Sequence, residues 1–72
     1  MDKFKIRSYG KGELAKLYCP HLSESAALGT LMRWMERQPM LMEQLHEAGF
    51  NHHIRILSPY MVRLIVDALG EP

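Results

Sequence analysis

Apolar and polar residues recur along the chain with two different periods, and these periods predict its secondary structure. Phe4, Ile6 and Ser8 alternate with charged residues, which is the period-two pattern of a strand with one buried face. From residue 11 onward, most apolar residues recur every three to four positions, as on the inner face of helices. The pattern therefore predicts an initial strand followed by mainly helical structure.

The first two helices are predicted on either side of a proline turn. Lys11 to Tyr18 forms a short helix that ends before Pro20, because proline disfavours helical geometry in the preceding residue. Ser23 is a good N-cap, and the longest helix covers Ser23 to Arg37. Two helices joined by a short turn make a helix-turn-helix candidate.

A third helix and a second strand are predicted in the middle of the chain. The helix starts at Pro39 and runs to about Ala48, where Gly49 supplies the left-handed geometry of a helix end. Ile54 to Leu57 is predicted to be a strand that pairs with Phe4 to Ser8.

The last helix has the clearest boundaries and the widest apolar surface. Ser58 is its N-cap, Pro59 lies in its first turn and Gly70 stops it. Its apolar arc of about 200° is wider than one small core covers comfortably. We expect either that the fold wraps this helix on most sides or that a part of it, around Leu64 and Ala68, meets a second copy of the protein.

The longest predicted helix has one apolar face and one polar face. A step of about 100° per residue places six apolar residues on one stripe, namely Ala27, Leu28, Leu31, Met32, Trp34 and Met35. The opposite face is small and polar and carries two arginines; its residues are Ser25, Gly29, Thr30, Arg33, Glu36 and Arg37. Such a face suits close approach to a phosphate-rich groove and is equally typical of a solvated surface. We expect Trp34 to be a core anchor, whose truncation to alanine costs about 3–5 kcal/mol.

Charge and composition narrow the functional classes. The net charge of the 72 residues is +1, with +3 in residues 1–16 and −2 in residues 17–72. A basic end of this kind can contact phosphates, although alternating lysines also keep a strand edge soluble. No apolar run approaches the roughly 18 residues of a membrane span, and the start of the chain lacks the apolar segment of a signal peptide. Cys19 is the one cysteine, so no internal disulfide is expected, and we predict a cytoplasmic protein without membrane contact.

Few residues offer catalytic or metal chemistry. The candidates are Cys19, His21, His52 and His53, and their spacing matches no zinc signature. A chain of 72 residues also has few residues with which to line an active site that excludes water. We therefore expect no enzyme activity, metal, cofactor or small-molecule substrate.

Several stretches resemble winged helix-turn-helix proteins. Tyr9 to Tyr18, YGKGELAKLY, resembles the opening helix of MerR-type and excisionase-type domains, and Thr30 to Trp34, TLMRW, resembles the core of their second helix. Arg55 to Gly70, RILSPYMVRLIVDALG, looks like the strand and helix that follow their wing. From FKIRSYG near its start to LGEP at its end, the chain is also similar to a small bacterial family of unknown function, DUF4248.

The resemblance implies a fold and a binding partner. The fold is one mainly α-helical domain over residues 1–72, with four helices and a small two-stranded β-sheet in a winged helix-turn-helix arrangement. The partner is double-stranded DNA, with the second helix in the major groove and the loop after the third helix as the wing. The residues implied to face the groove are Ser25, Ala26, Gly29, Thr30 and Arg33, and those implied to lie near phosphates are Lys11, Lys16 and Arg37.

The second helix departs from a usual recognition helix, and the departure leaves an alternative open. Recognition helices offer Arg, Lys, Asn or Gln to base edges, whereas the first half of this helix is small, and Glu24 would repel a phosphate. The wing candidate lacks arginine until Arg55. The alternative is a protein-interaction or dimerisation module that uses the last helix or Met40, which lies off its helical stripe. DNA binding requires Arg33, Arg37 and the lysines to share one exposed surface, whereas the alternative predicts an exposed apolar patch around Met40 or the last helix.

Overall fold

A computed structural model describes residues 4–72, and in that range the chain forms four helices and a small antiparallel sheet. The elements in order are β1 (Tyr9–Gly10), α1 (Lys11–Tyr18), α2 (Glu24–Glu36), α3 (Pro39–Glu47), β2 (Ile56–Leu57) and α4 (Pro59–Leu69). The predicted fold class, mainly α with a two-stranded sheet and four helices, is confirmed. No helix among the described residues is both long and apolar enough to cross a membrane.

The sheet lies later in the chain than predicted. Tyr9 pairs with Leu57 and Gly10 with Ile56, so the predicted strand from Phe4 to Ser8 is wrong. The Tyr9 hydroxyl donates to the carbonyl of Lys5 at 2.8 Å, and the Phe4 ring stacks on the Tyr9 ring. Because residues 4–8 wrap around the side chain of Tyr9, they do not extend along β2.

Three helix ends follow the predicted local signals. The Ser23 hydroxyl accepts a hydrogen bond from the Ala26 amide at 3.2 Å, and the Ser58 hydroxyl caps α4 in the same way. Gly49 has a φ of 102° and follows α3 in the left-handed conformation that glycine adopts without steric cost. These ends depend on groups within a few residues of each other, which is why the sequence alone locates them.

The start of α1 is stabilised by a carboxylate. The backbone amide of Gly10 donates to Glu13 Oε1 at 3.1 Å, and Arg7 Nη2 lies 3.3 Å from Glu13 Oε2. The hydrogen bond from Gly10 and then the one from Arg7 lower the pKa of Glu13, because both stabilise its charged form. Arg7 also lies over the Tyr9 ring, 3.8 Å from its centroid.

One hydrophobic core draws on all four helices. The fully buried side chains with the largest volumes are Leu14, Leu31, Met35, Leu45, Leu57, Val62 and Ile65. The apolar arc of α4 is largely covered, since Leu64 and Leu69 pack against the core and only Ala68 of that arc is exposed. Most of this arc therefore faces the core, while Leu64 is half-buried and Ala68 is exposed.

Trp34 is less buried than predicted. It is 36% exposed and meets the Tyr18 ring edge-on, with 6.2 Å between ring centroids. Met35 takes the central position because it lies about 100° further round the helix and is 1% exposed. Trp34 therefore covers the margin of the core.

Candidate nucleic-acid interface

The side of α2 that faces away from the core is open to solvent. We call this side the outer α2 face; its residues are Ser25, Ala26, Gly29, Thr30, Arg33, Glu36 and Arg37. Gly29 and Thr30 are half-buried and the other five are exposed, whereas Ala27, Leu31 and Met35 on the opposite side are buried. The structure thus brings together six of the eight residues implied to contact DNA, five in α2 and Arg37 at its C-cap.

Arg33 and Thr30 form a hydrogen-bonded pair on this face. Thr30 Oγ1 donates to the carbonyl of Ala26 at 3.0 Å and accepts from Arg33 Nη2 at 3.2 Å. A Cβ atom placed on Gly29 would lie 3.8 Å from Arg33 Nη1. The guanidinium group therefore folds back toward the first half of α2 and lies beside the bare backbone of Gly29.

Lys16 lies in α1 and holds the turn between α1 and α2. Its Nζ donates to the carbonyls of Pro20 at 3.1 Å and Leu22 at 2.6 Å, and its side chain is half-buried. Because the last carbonyls before α2 have no partner within a helix, the ammonium group satisfies them and fixes the path of the turn. The sequence did not predict this role for Lys16.

Lys11 holds the loop that the resemblance identified as a wing. Its Nζ donates to the carbonyls of Asn51 at 3.1 Å and His52 at 3.5 Å, and it lies 4.8 Å from the centroid of the Phe50 ring. Partial burial lowers the pKa of this lysine, because desolvation disfavours the charged form. Lys11 and Lys16 are both half-buried and bonded to backbone carbonyls, so they do not join Arg33 and Arg37 on one exposed surface as DNA binding was expected to require.

The loop is also ordered by its own side chain. Asn51 Oδ1 accepts hydrogen bonds from the amides of His53 at 2.7 Å and Ile54 at 3.2 Å. The imidazoles of His52 and His53 and the side chain of Arg55 are exposed. An asparagine that bonds to amides two and three residues ahead is a local turn signal, so the shape of this loop was within reach of sequence reasoning.

Glu24 points its carboxylate at α1. A Cβ atom on Gly12 would overlap the side-chain carboxylate of Glu24, so the glycine makes the room that this side chain occupies. Both residues border an open cleft of about 430 Å³ between the starts of α1 and α2 and the loop, with His52 and Arg55 on its far side. The negative charge that the sequence placed near the groove therefore lies at the α1–α2 contact.

The described residues offer no constellation for metal binding. Within residues 4–72, no group of three or more His, Cys, Asp or Glu side chains is placed to hold a metal ion. Cys19 is buried and 3% exposed.

Comparison with known proteins finds a family but no characterised relative. The family model described as Domain of unknown function (DUF4248) matches residues 5–72. No protein with curated annotation and no solved structure matches the chain.

Proposed function

The chain belongs to the family described as Domain of unknown function (DUF4248), and we propose that it is a small DNA-binding protein, a DNA-architectural or regulatory accessory factor, with α2 as its DNA-contacting helix. In this proposal α1, the turn and α2 form the helix-turn-helix and the loop at residues 51–55 is the wing. The setting is the cytoplasm, where duplex DNA is accessible in bacteria and a lone thiol such as Cys19 stays reduced.

The single observation that carries the proposal is the position of the two arginines. Arg33 and Arg37 are both exposed on the outer α2 face, four residues apart and so about 6 Å apart along the helix axis. Within residues 4–72 neither is in an ion pair, whereas Arg7 is neutralised by Glu13. Glu36 on the same face is exposed and is not in an ion pair within residues 4–72, so the two arginines leave a net positive charge beside a small, close-approach surface. This combination suits contact with DNA phosphates.

The position of Glu24 bears on the same assignment, as do the two lysines. As a free side chain at the start of α2 it would repel phosphates, but its carboxylate lies over Gly12 on α1. Glu24 is nevertheless exposed and is in no ion pair within residues 4–72, so its negative charge remains beside the start of α2. Lys11 and Lys16 act in this proposal mainly as supports for the wing and the turn, because their ammonium groups already have carbonyl acceptors.

The composition of the outer α2 face favours phosphate and shape recognition over base reading. Its first half, Ser25 to Thr30, has no Arg, Lys, Asn or Gln side chain to reach a base edge. Recognition of this kind gives modest affinity that depends strongly on salt. We therefore place the protein among accessory or architectural factors.

Fluorescence anisotropy with a mixed-sequence duplex tests the proposal. Binding should weaken between about 50 and about 200 mM salt, and the Arg33→Ala/Arg37→Ala variant should reduce the slope of log affinity against log salt by about 0.9 for each lost phosphate contact. The matched control is Lys5→Ala/Arg63→Ala, which removes the same charge from exposed side chains outside α2. No binding at the lower salt, or an equal loss in both double variants, would contradict the proposal.

One observation favours a second candidate, a protein-interaction or dimerisation module. Met40 at the start of α3 is 75% exposed, more than any other large apolar side chain among the described residues. Sedimentation of the wild type and of Met40→Glu tests this candidate directly. A wild-type dimer that the substitution dissociates would support this candidate. A wild-type protein that stays monomeric at all concentrations would exclude its dimerisation form.

A further inference from the structure

Arg33 and Arg37 differ in how they are held, although both are exposed on the outer α2 face. Arg33 donates to Thr30 Oγ1 and lies beside Gly29. Arg37 caps the end of α2 through its backbone amide, and its guanidinium has no hydrogen-bond partner among the described residues. One arginine is therefore oriented before any ligand arrives and the other is not.

The hydroxyl of Thr30 is suited to orient an arginine without neutralising it. Its single proton goes to the Ala26 carbonyl, so it meets Arg33 as an acceptor. The acceptor is neutral, which leaves the full positive charge and four of the five N–H donors of Arg33 for a ligand. Arg7 shows the contrasting case, since its partner is the carboxylate of Glu13.

We propose that Thr30 is a positioning residue for DNA binding, which holds the Arg33 guanidinium in the orientation that meets a backbone phosphate. The proposal rests on the proposed function and adds to it a division of labour between the two arginines. Arg33 makes an oriented phosphate contact next to the bare backbone of Gly29. Arg37 supplies charge without a fixed geometry.

The expected gain in affinity comes from side-chain order. Immobilising a flexible arginine side chain on binding costs about 0.5–1.5 kcal/mol of binding free energy, which corresponds to an affinity about two- to twelvefold lower. Thr30→Val keeps the branched shape and removes the hydroxyl, so it should weaken DNA binding by about this factor. Thr30→Ser keeps the hydroxyl and should bind close to the wild-type level.

A double-mutant cycle separates positioning from direct contact. Thr30→Val should weaken binding in the wild type and in Arg37→Ala, and should have no effect in Arg33→Ala, where the side chain to be oriented is missing. Thermal unfolding of each variant shows whether a loss of binding reflects a loss of folded protein. An equal effect of Thr30→Val in all three backgrounds, or none in the wild type, would overturn the positioning role and leave DNA binding itself intact.

NMR relaxation of the arginine Nε–Hε groups in the DNA-free protein provides a readout that does not use DNA. Arg33 should be more ordered than Arg37, and Thr30→Val should lower its order parameter to the level of Arg37. Equal order of the two arginines in the wild type would overturn the inference. A wild type that binds no duplex at low salt would instead show that the proposed function is wrong, so the two failures are distinguishable.

Discussion

At the scale of single residues, two glycines that look alike in the sequence have opposite surroundings. Gly12 makes room for the side chain of Glu24, whereas a Cβ on Gly29 would meet only Arg33, at an ordinary van der Waals distance of 3.8 Å. Both lie in helices and neither has a positive φ. Packing against Glu24 therefore requires a glycine at residue 12, whereas packing within the protein does not require one at residue 29.

Gly29→Ala should stabilise the protein and weaken its binding to DNA. Alanine is favoured over glycine inside a helix by about 1 kcal/mol, and nothing at this position opposes the methyl group. The same methyl group would stand between the helix backbone and a phosphate. Urea denaturation measures the change in stability, and fluorescence anisotropy measures the change in DNA binding. Gly12→Ala is the control: its methyl group must displace the Glu24 side chain, so this variant should gain less stability than Gly29→Ala. A variant that is stabilised and binds DNA as well as the wild type would show that no ligand approaches Gly29.

Trp34→Ala should cost less stability than Leu31→Ala, despite the larger side chain. Leu31 is 1% exposed, and its truncation should cost about 2–5 kcal/mol. Trp34 is 36% exposed and contacts Tyr18 by its edge, so we expect its truncation to cost less than about 3 kcal/mol. Chemical denaturation followed by circular dichroism gives both values, and the reverse order would restore Trp34 as the core anchor.

At the scale of elements, a half-buried lysine fixes how α1 connects to α2. Lys16 lies in the last turn of α1 and reaches two carbonyls of the following turn. Its positive charge also lies near the negative end of the α1 dipole, which stabilises it there. The orientation of α2, and with it the outer α2 face, therefore depends on a side chain in the neighbouring helix.

Lys16→Met should destabilise the fold without changing the salt dependence of DNA binding. The variant keeps the length of the side chain and loses two charge-assisted hydrogen bonds, so we expect a loss of about 1–3 kcal/mol. Urea denaturation beside Lys5→Met, which changes an exposed lysine, isolates the effect of the turn. If Lys16 contacts a phosphate instead, its substitution will flatten the salt slope by about 0.9.

At the scale of the whole molecule, two long-range hydrogen bonds tie the end of the chain to its beginning and middle. The Tyr18 hydroxyl donates to the carbonyl of Gly70, and Gln38 Nε2 donates to the carbonyl of Ala68 at 3.3 Å. Burial and then the charge of Glu71 raise the pKa of Tyr18 to about 12. The last turn of α4 is thereby attached to the N-cap of α3, and Gly70 after it to the end of α1.

Stability should decline in strongly alkaline solution as Tyr18 ionises. The folded state holds the tyrosine proton more tightly than an unfolded chain, in which the pKa is near 10.0. This contribution is therefore complete below pH 10 and is lost as the pH rises from 10 toward 12. Urea midpoints at pH 9 and pH 11 should differ less in Tyr18→Phe than in the wild type. A control is Tyr60→Phe, which alters an exposed ring; an equal change in both variants would contradict the assignment.

The sequence by itself determined the features that depend on near neighbours. It located α1, the caps at Ser23 and Ser58 and the glycine after α3, because each rests on groups within a few residues. It also placed Arg33 and Arg37 on one face of α2, since helical periodicity fixes which residues share a side. The helical architecture and the arginine part of the candidate site were therefore predictable.

Only the tertiary structure decided the features that depend on residues far apart in the chain. The pairing of β1 with β2, the burial of Met35 over Trp34 and the acceptors of Lys11 are set by packing between elements. A lysine has the same local pattern whether its charge meets a carbonyl 40 residues away or stays in water. The direction in which Glu24 points was hidden for the same reason, because the space beside Gly12 exists only once α1 and α2 have packed together.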